Sequence, residues 1–139
     1  MTERWRGGYS DAIMDHCRNP RNREAMAEPD GAARGYNPHC GDEITVYLRL
    51  EGDRLAAVRF AGEACALATA SASIMCGAVE GLSLRAAAAV TAAFLAFLEG
   101  GAPESLPADV RELGAARRYP GRARCAALPW LALRSAIEG

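Results

Sequence analysis

A β-hairpin signal in the middle of the chain limits what this sequence can fold into more than any other feature. Apolar and polar side chains alternate strictly over residues 43–50, a pattern typical of a strand with one buried face. Gly52 and Asp53 then favour a two-residue turn, and residues 55–61 provide a return strand. A turn centred on these two residues pairs positions whose numbers add to 105, which places residue 40 opposite residue 65.

Three residues with metal-binding side chains lie where this hairpin ends. Cys40 and Asp42 come just before the first strand and Cys65 comes shortly after the second, so the hairpin brings them to one end. The five cysteines form no C-x-x-C pair, and the N-terminus lacks the apolar segment of a secretory signal. These features favour a reducing, cytoplasmic compartment, in which thiols are more often metal ligands, nucleophiles or core residues than disulfides.

The composition excludes several classes of protein. Charged residues make up 24% of the 139-residue chain and the net charge is -1, which favours neither a disordered tail nor a basic surface for nucleic acid. No apolar run approaches the roughly 20 residues that cross a bilayer. All 16 basic residues are Arg, so the chain lacks the Lys that anchors pyridoxal phosphate or completes an ordinary P-loop.

Helices are predicted on both sides of the hairpin, within one domain of ordinary size. The stretch before Gly35 is predicted to be irregular, and residues 35–42 form a loop dense in turn formers. The predicted helices span residues 9–17, residue 65 to about 77 or 81, 84–98 with Ser83 as N-cap, 109–118 inside an irregular segment 101–121, and 128–137 with Pro129 in the first turn.

Four residues together offer the ligand set of a closed tetrahedral metal site. Cys40, Cys65 and Cys125 provide three thiolates and Asp42 provides a carboxylate, which suits a borderline-soft ion such as zinc. The hairpin assembles three of these four residues. Cys65 also stands at the start of a predicted helix, where the helix dipole favours the thiolate over the thiol.

The charge of such a site predicts a supporting role for nearby arginines. A divalent ion with three thiolates and a carboxylate carries a charge of about -2, which a partly buried site must offset. Arg122 and Arg124 shortly precede Cys125 and are predicted to supply that positive charge. Cys17 and Cys76 are interpreted as core residues, because free Cys is often simply a small buried side chain.

Five short motifs occur in a fixed order along nearly the whole chain. They are DHCRNPRN at residues 15–22, NPHCGD at 37–42, GEACA at 62–66, ASASIM at 70–75 and RCA at 124–126. Together these motifs resemble the NifU-type iron–sulfur assembly proteins. The chain is most similar to the SufU branch, because an extra segment of roughly residues 101–121 precedes the third motif cysteine and Arg124 stands where the scaffold branch has a His.

The resemblance implies an α+β fold in which a small antiparallel sheet of about three strands is covered by helices. It implies one domain over residues 1–139, with a branch-specific insertion near 101–121. It also implies that zinc is held by the residues that match the family's ligands. These are Cys40, Asp42, Cys65 and Cys125.

The resemblance further implies a role and partners. A SufS-like cysteine desulfurase that carries pyridoxal phosphate would supply sulfur, which fits the absence of Lys from this chain. In the SufU branch a His of the desulfurase replaces one Cys at the zinc, and the matching residue here, Cys40, would accept persulfide sulfur. The sulfur would pass to recipient apoproteins or to downstream proteins of the SUF system. The chain would thus act as a sulfur carrier more than as an enzyme.

Two other functions fit the same residues. In the scaffold branch the matching thiolates hold a transient [2Fe–2S] cluster, and Asp42 would assist its release. A structural zinc module with interaction duties is the third hypothesis. Stoichiometric zinc in the purified protein would favour the sulfur acceptor, whereas a brown, oxygen-labile cluster would favour the scaffold.

Overall fold

An antiparallel sheet forms the centre of the fold. The computed structural model describes residues 9–139, in which three strands and five α-helices occur. In chain order these are α1 (Asp11–Arg18), β1 (Gly31–Asn37), β2 (Asp42–Glu51), β3 (Arg54–Ala61), α2 (Ala66–Val79), α3 (Leu84–Leu98), α4 (Ala108–Glu112), a 3₁₀ helix (Leu113–Arg118) and α5 (Pro120–Glu138). The strand order is β1-β2-β3. The predicted fold class, a small antiparallel sheet covered by helices, is confirmed.

The hydrophobic core lies between the sheet and the helices. α5 packs on β1 and β2, α2 packs on α5 and β3, and α1 packs on α2. The inward side chains of β2 and β3 share one apolar cluster with Trp130 of α5, which is fully buried and lies 4.5 Å from the ring of Phe94. No helix between residues 9 and 139 is long and apolar enough to cross a membrane.

The β2–β3 hairpin has the predicted turn, but its register differs from the prediction. Gly52 occupies the turn with φ +64°, a conformation that favours glycine. Beyond the turn a bulge shifts the pairing by one residue, so that Leu48 pairs with Val58 and not with Ala57. Cross-strand partners face the same side of a sheet, and only this shift places Val58 and Phe60 on the buried face with Leu48.

The first strand also differs from the prediction. Residues Gly31–Asn37 form β1 where an irregular stretch and a loop were expected, and the loop is limited to residues 38–41. Gly and Ala are poor strand formers, but small residues permit close packing against α5. A Cβ at Gly35 would lie 3.1 Å from the Leu128 side chain, so the approach of α5 accounts for the glycine.

The last helix begins earlier than predicted. α5 starts at Pro120, a first-turn position that needs no N–H donor, and Pro129 lies in its interior instead of its first turn. Because proline has no N–H, position 129 donates no helix hydrogen bond to the Cys125 carbonyl oxygen. Burial of the Pro129 ring in the core offsets the cost of that missing bond. Cys125 therefore lies on a helix and not on a loop that precedes one.

The remaining helices agree with the sequence prediction. The N-cap residues of α1, α2 and α3 are Ser10, Cys65 and Ser83, whose side chains each accept a hydrogen bond from a backbone N–H of the first turn. The segment 101–121 contains α4 and the 3₁₀ helix, and buried apolar side chains anchor it to the core. Its assignment as a branch-specific insertion, and the single domain over residues 1–139, stay predictions.

Ser71 joins α2 to α5 through two buried hydrogen bonds. Its hydroxyl donates to the Ala126 carbonyl oxygen (2.6 Å) and accepts from Trp130 Nε1 (3.0 Å). We expect Ser71→Ala to lower the free energy of unfolding by about 1–3 kcal/mol, because it leaves the buried indole N–H without an acceptor. Urea unfolding measures this loss. Ser135→Ala, at an exposed position of α5, is the control, and an equal loss in both variants would contradict the prediction.

Candidate metal site

Cys40 lies on the tight turn between β1 and β2. The Gly41 N–H donates to the Asn37 carbonyl oxygen (2.8 Å), and the Asn37 side-chain oxygen accepts from the His39 N–H (3.0 Å). These two hydrogen bonds fix the turn. Cys40 is exposed, so its thiol is open to a partner molecule.

Asp42 opens β2 and is buried, with 5% of its surface exposed. Its Oδ1 accepts a hydrogen bond from the Cys65 backbone N–H (2.9 Å), which joins the start of β2 to the start of α2. Its Oδ2 is also buried, and no residue among 9–139 donates a hydrogen bond to it. A buried carboxylate oxygen without a donor is unfavourable unless a cation faces it. Asp42 therefore fits the role of a metal ligand.

Cys65 caps the N-terminus of α2. Its Sγ accepts a hydrogen bond from the Ala68 N–H (3.4 Å). Gly62, with φ +135°, turns the chain from β3 toward this helix, and a Cβ at that position would come within 2.2 Å of the Glu43 carbonyl oxygen. The glycine thus permits the end of β3 to approach the start of β2, which brings Cys65 to Asp42.

Cys125 reaches the same place from the second turn of α5 and is half-buried. The residue after it, Ala126, accepts the hydrogen bond from Ser71 of α2. The contact that joins the two helices therefore also fixes Cys125 relative to Cys65 at the start of α2.

Three of the four predicted ligands come together at one end of the hairpin, and the fourth, Cys65, lies beside them. The sulfurs of Cys40 and Cys125 and a carboxylate oxygen of Asp42 all lie within 4.8 Å of one another. Cys65 is not part of this close group of three, but its thiol interacts with the Cys125 thiol and with the Asp42 carboxylate. Two sulfurs on a tetrahedral zinc ion lie about 3.8 Å apart, so the observed spacing is compatible with such a site. Ligation itself stays a prediction.

Both half-buried thiols of the site favour the protonated form. Burial raises the pKa of Cys65 by more than the hydrogen bond from the Ala68 N–H lowers it, so the helix N-terminus favours the thiolate, as predicted, but does not outweigh burial. Burial also raises the pKa of Cys125, as do the Cys65 thiol and the charges of Cys40 and Asp42. Deprotonation of these thiols needs a positive charge, which a divalent ion would supply.

The two arginines predicted to offset this charge are both exposed. The Arg122 guanidinium lies over two aromatic rings, 4.7 Å from the centroid of Tyr119 and 5.6 Å from that of Tyr9. Arg124 lines an open pocket of about 270 Å³ beside His39. No ion pair joins either arginine to Asp42 in the part of the chain that the structure describes. Their supporting role stays a prediction.

Two cysteines lie outside the ligand set. Cys76 is fully buried, and burial raises its pKa to about 12, which agrees with its interpretation as a core residue. Cys17 packs against the core but is only half-buried, and its thiol donates to the Ala66 carbonyl oxygen (3.4 Å). Burial raises the pKa of Cys17, and the nearby Cys65 raises it further. Cys17 thus lies nearer to the site than the sequence indicated.

Tyr9 also lies beside the site, although no motif marks it. Burial raises the pKa of Tyr9, and the charges of Cys125 and Cys65 raise it further. Its hydroxyl is buried and has no hydrogen-bond partner among residues 9–139. Tyr9 precedes α1, and only the packing of α1 on α2 brings it to these thiols. Local sequence patterns carry no signal for such a contact.

Comparisons with known proteins identify the family of this chain. The family model of the NifU-like N-terminal domain matches residues 8–137. This chain belongs to that family. The NifU-like chain is 33% identical to the zinc-dependent sulfurtransferase SufU of Bacillus subtilis over 131 residues. The aligned region covers 93% of this chain and 88% of SufU. The resemblance found in the sequence motifs is confirmed.

Two further relatives of this NifU-like chain are described as scaffold proteins. The iron–sulfur cluster assembly scaffold protein IscU of Streptococcus pyogenes is 33% identical over 138 residues, which cover 94% of this chain and 82% of that protein. The solved structure of FiSufU, described as an iron–sulfur cluster assembly scaffold protein for the SUF system of Fervidobacterium islandicum AW-1, superimposes on this chain with a TM-score of 0.86 at 27% identity. That superposition covers 93% of this chain and 96% of FiSufU.

The first family motif of this NifU-like chain holds α1 against α2. His16 Nδ1 lies 2.7 Å from Ser73 Oγ, and the Arg21 N–H donates to the same oxygen (2.8 Å). The Arg21 side chain pairs with Asp15. These contacts fix α1 against the middle of α2.

Proposed function

We propose that this NifU-like protein holds zinc and accepts sulfur from a cysteine desulfurase. The observation that carries the proposal is Asp42, whose buried Oδ2 has no donor among residues 9–139 and whose carboxylate lies within 4.8 Å of the Cys40 and Cys125 sulfurs. Three thiols and one carboxylate suit zinc better than a hard cation such as magnesium. The similarity to a zinc-dependent sulfurtransferase supports the same ion. The proposed ligands are Cys40, Asp42, Cys65 and Cys125.

The ligands differ in how firmly the fold holds them. Cys65 caps α2 and Cys125 lies on α5, and both are half-buried. Cys40 is exposed on a four-residue turn. A bound zinc ion would supply the charge that keeps these thiols deprotonated. Of the three thiols, Cys40 is the most accessible to a partner. Its release from the metal ion would also disturb the core least.

The proposed transfer uses ordinary thiol–persulfide exchange at Cys40. Its thiolate attacks the outer sulfur of a persulfide on the desulfurase, and a new sulfur–sulfur bond forms at Cys40. The sulfur–sulfur bond of the donor breaks, and the donor cysteine leaves as a thiolate. No net oxidation or reduction occurs, because the transferred sulfur keeps its oxidation state.

The donor is proposed to be a SufS-like enzyme that carries pyridoxal phosphate. This chain contains no Lys and cannot form the Schiff base of that cofactor, so the mobilisation of sulfur from cysteine belongs to the partner. Recipient apoproteins or downstream SUF proteins would then take the sulfur. We place this exchange in the cytoplasm, because free thiols persist in a reducing compartment, and a net charge of -1 supports no nucleic-acid partner.

A scaffold for a [2Fe–2S] cluster is the second candidate function. The similarity to IscU of Streptococcus pyogenes favours it, and the same three thiols would ligate the cluster. Metal analysis of protein purified with and without oxygen separates the two candidates. Stoichiometric zinc under both conditions supports the sulfur acceptor, and a brown cluster that oxygen destroys supports the scaffold.

Replacement of the acceptor thiol tests the proposed transfer. We expect Cys40→Ala to lose most of the sulfur that the parent protein accepts from a SufS-like desulfurase and cysteine, because the attacking thiolate is gone. Mass spectrometry of alkylated persulfides measures the accepted sulfur at each cysteine. Cys17→Ala is the matched control, since Cys17 is a partly accessible thiol outside the ligand set. Unchanged sulfur loading of Cys40→Ala would contradict the proposal.

A further inference from the structure

The two outer edges of the sheet differ in how their backbone groups are bonded. On β3 the Phe60 carbonyl oxygen accepts from the Glu24 N–H (2.8 Å), and the Phe60 N–H donates to the Asn22 carbonyl oxygen (3.0 Å). The Val58 N–H donates to the side chain of Glu80 (3.0 Å). Other segments of the chain therefore cover the β3 edge.

β1 forms the opposite edge of the sheet and lacks such a cover. It pairs with β2, and no backbone hydrogen bond joins its other side to any segment among residues 9–139. Alternate residues of an edge strand direct their N–H and C=O groups away from the sheet, where an added strand can bond to them. β1 ends at Asn37, three residues before Cys40. A strand added to this edge therefore leads to the proposed acceptor thiol.

An apolar pocket of about 270 Å³ lies between the end of β1 and α5. Its walls come from the last residues of β1, the turn that precedes Cys40 and one face of α5. Tyr36 and Leu131 in these walls are 51% and 38% exposed, and they are two of the three exposed large apolar side chains among residues 9–139. Exposed apolar side chains grouped around a pocket are typical of surfaces that bind other proteins.

The charge around this pocket indicates the chemistry of what binds there. Arg124, Ala127 and Leu131 also line an adjoining pocket of about 370 Å³, so the two pockets form one groove along α5, called the α5 groove below. The second pocket adds Arg134 and Glu99. Neither arginine has an ion pair with another residue among 9–139. Two unpaired arginines beside one glutamate favour a bound segment that carries carboxylates.

We propose that an extended segment of the cysteine desulfurase adds to the β1 edge as a fourth strand and places an apolar side chain between Tyr36 and Leu131. Carboxylates of the same segment pair with the arginines of the α5 groove. The inference rests on the proposed function, because the desulfurase is the partner whose persulfide must reach Cys40. Continuity with that thiol supports this occupant, since His39, the residue before Cys40, lines the same groove.

Tyr36→Ala tests the groove, and Tyr119→Ala is its matched control. Each tyrosine is 51% exposed and has an arginine over its ring, Arg34 at 5.1 Å and Arg122 at 4.7 Å, but Tyr119 lines neither pocket. We expect Tyr36→Ala to weaken the binding of a SufS-like desulfurase at least about tenfold, because it removes a central apolar contact. Tyr119→Ala is expected to bind as the parent does. Isothermal titration calorimetry of the zinc-loaded proteins measures each dissociation constant.

Hydrogen exchange followed by mass spectrometry tests the added strand itself. With the desulfurase bound, the amides of residues 31–37 are expected to exchange more slowly, because their outward N–H groups are then bonded. The amides of Val58 and Phe60 are already bonded and are expected to stay unchanged. Equal dissociation constants for the two tyrosine variants, or unchanged exchange of β1, would overturn the inference. Protection of β1 that appears in the free protein as its concentration rises would also overturn it, because a second copy would then occupy the edge.

The parent protein separates the failure of this inference from the failure of the proposed function. A parent that accepts sulfur while exchange of β1 stays fast would overturn the docking alone. A parent that binds the desulfurase with protection of β1 but accepts no sulfur would overturn the proposed transfer alone. A parent that does not bind the desulfurase would overturn both.

Discussion

Asp42→Asn is expected to weaken zinc binding at least about 100-fold, because loss of an outer partner alone costs 10–100-fold and this change removes a ligand. The Asn oxygen still accepts the Cys65 N–H that Oδ1 accepts at 2.9 Å, so the link between β2 and α2 survives. The amide nitrogen that replaces Oδ2 is a donor and does not bind a cation. We expect the metal-free variant to be at least as stable as the parent, because a buried charge with an unpartnered oxygen is gone.

Asp30→Asn is the matched control for this change. The Asp30 carboxylate accepts the Leu50 N–H (2.7 Å) near the other end of β2, away from the thiols. The two variants thus lose the same charge and keep the same kind of backbone hydrogen bond. Competition with a chelating dye measures the zinc affinity of each, and urea unfolding of the metal-free proteins checks the fold. Equal zinc affinities for the two variants would remove Asp42 from the ligand set.

Zinc affinity is expected to rise by about 100-fold or more per pH unit near neutrality, because at least the two half-buried thiols must each lose a proton. Burial raises the pKa of both Cys65 and Cys125, so both thiols carry protons in the metal-free chain. Below its raised pKa, each thiol gains tenfold in thiolate fraction for every unit of pH. The affinity therefore rises with pH and levels off only above the raised pKa values.

Calorimetry in buffers with different heats of ionisation counts the protons released when zinc binds. We expect at least two protons for the parent near neutrality and about one fewer for Cys125→Ala, which lacks one of the two thiols. Cys17→Ala should release as many as the parent, although burial also raises the pKa of Cys17. A count of zero for the parent would show that neither thiol ligates the ion.

The hairpin shows how much of the site the sequence predicts. Strand alternation and the Gly52 turn bring Asp42 to Cys65, and the structure has that contact. The sequence also contains the signal for the one-residue shift in the pairing of β2 with β3. Partners whose numbers add to 105 are one odd and one even, so Leu48 and Val58 cannot share a face in that register. Burial of both requires an extra residue in β3, which is what the bulge provides.

The parts that the sequence does not predict depend on contacts between distant residues. β1 has the composition of a loop, and Gly35 makes sense only against Leu128 of α5. Local rules place Pro129 in a first turn, whereas its burial in the core permits an interior position. No spacing rule connects Cys125 to the hairpin, so its place in the predicted ligand set rested on the chemistry of its thiol and on the family resemblance. Tyr9 carries no local signal at all.

Asp42, Cys65 and Cys125 lie on β2, at the start of α2 and on α5, and this separation affects the stability of the protein in a cell. An ion that joined Asp42, Cys65 and Cys125 in an unfolded chain would have to close loops of more than twenty and of sixty residues, at a cost in conformational entropy. Zinc would therefore select the folded chain, and mass action would add its binding free energy to stability. Under zinc starvation this protein would lie closer to its unfolding threshold, so metal supply would set its abundance as well as its chemistry.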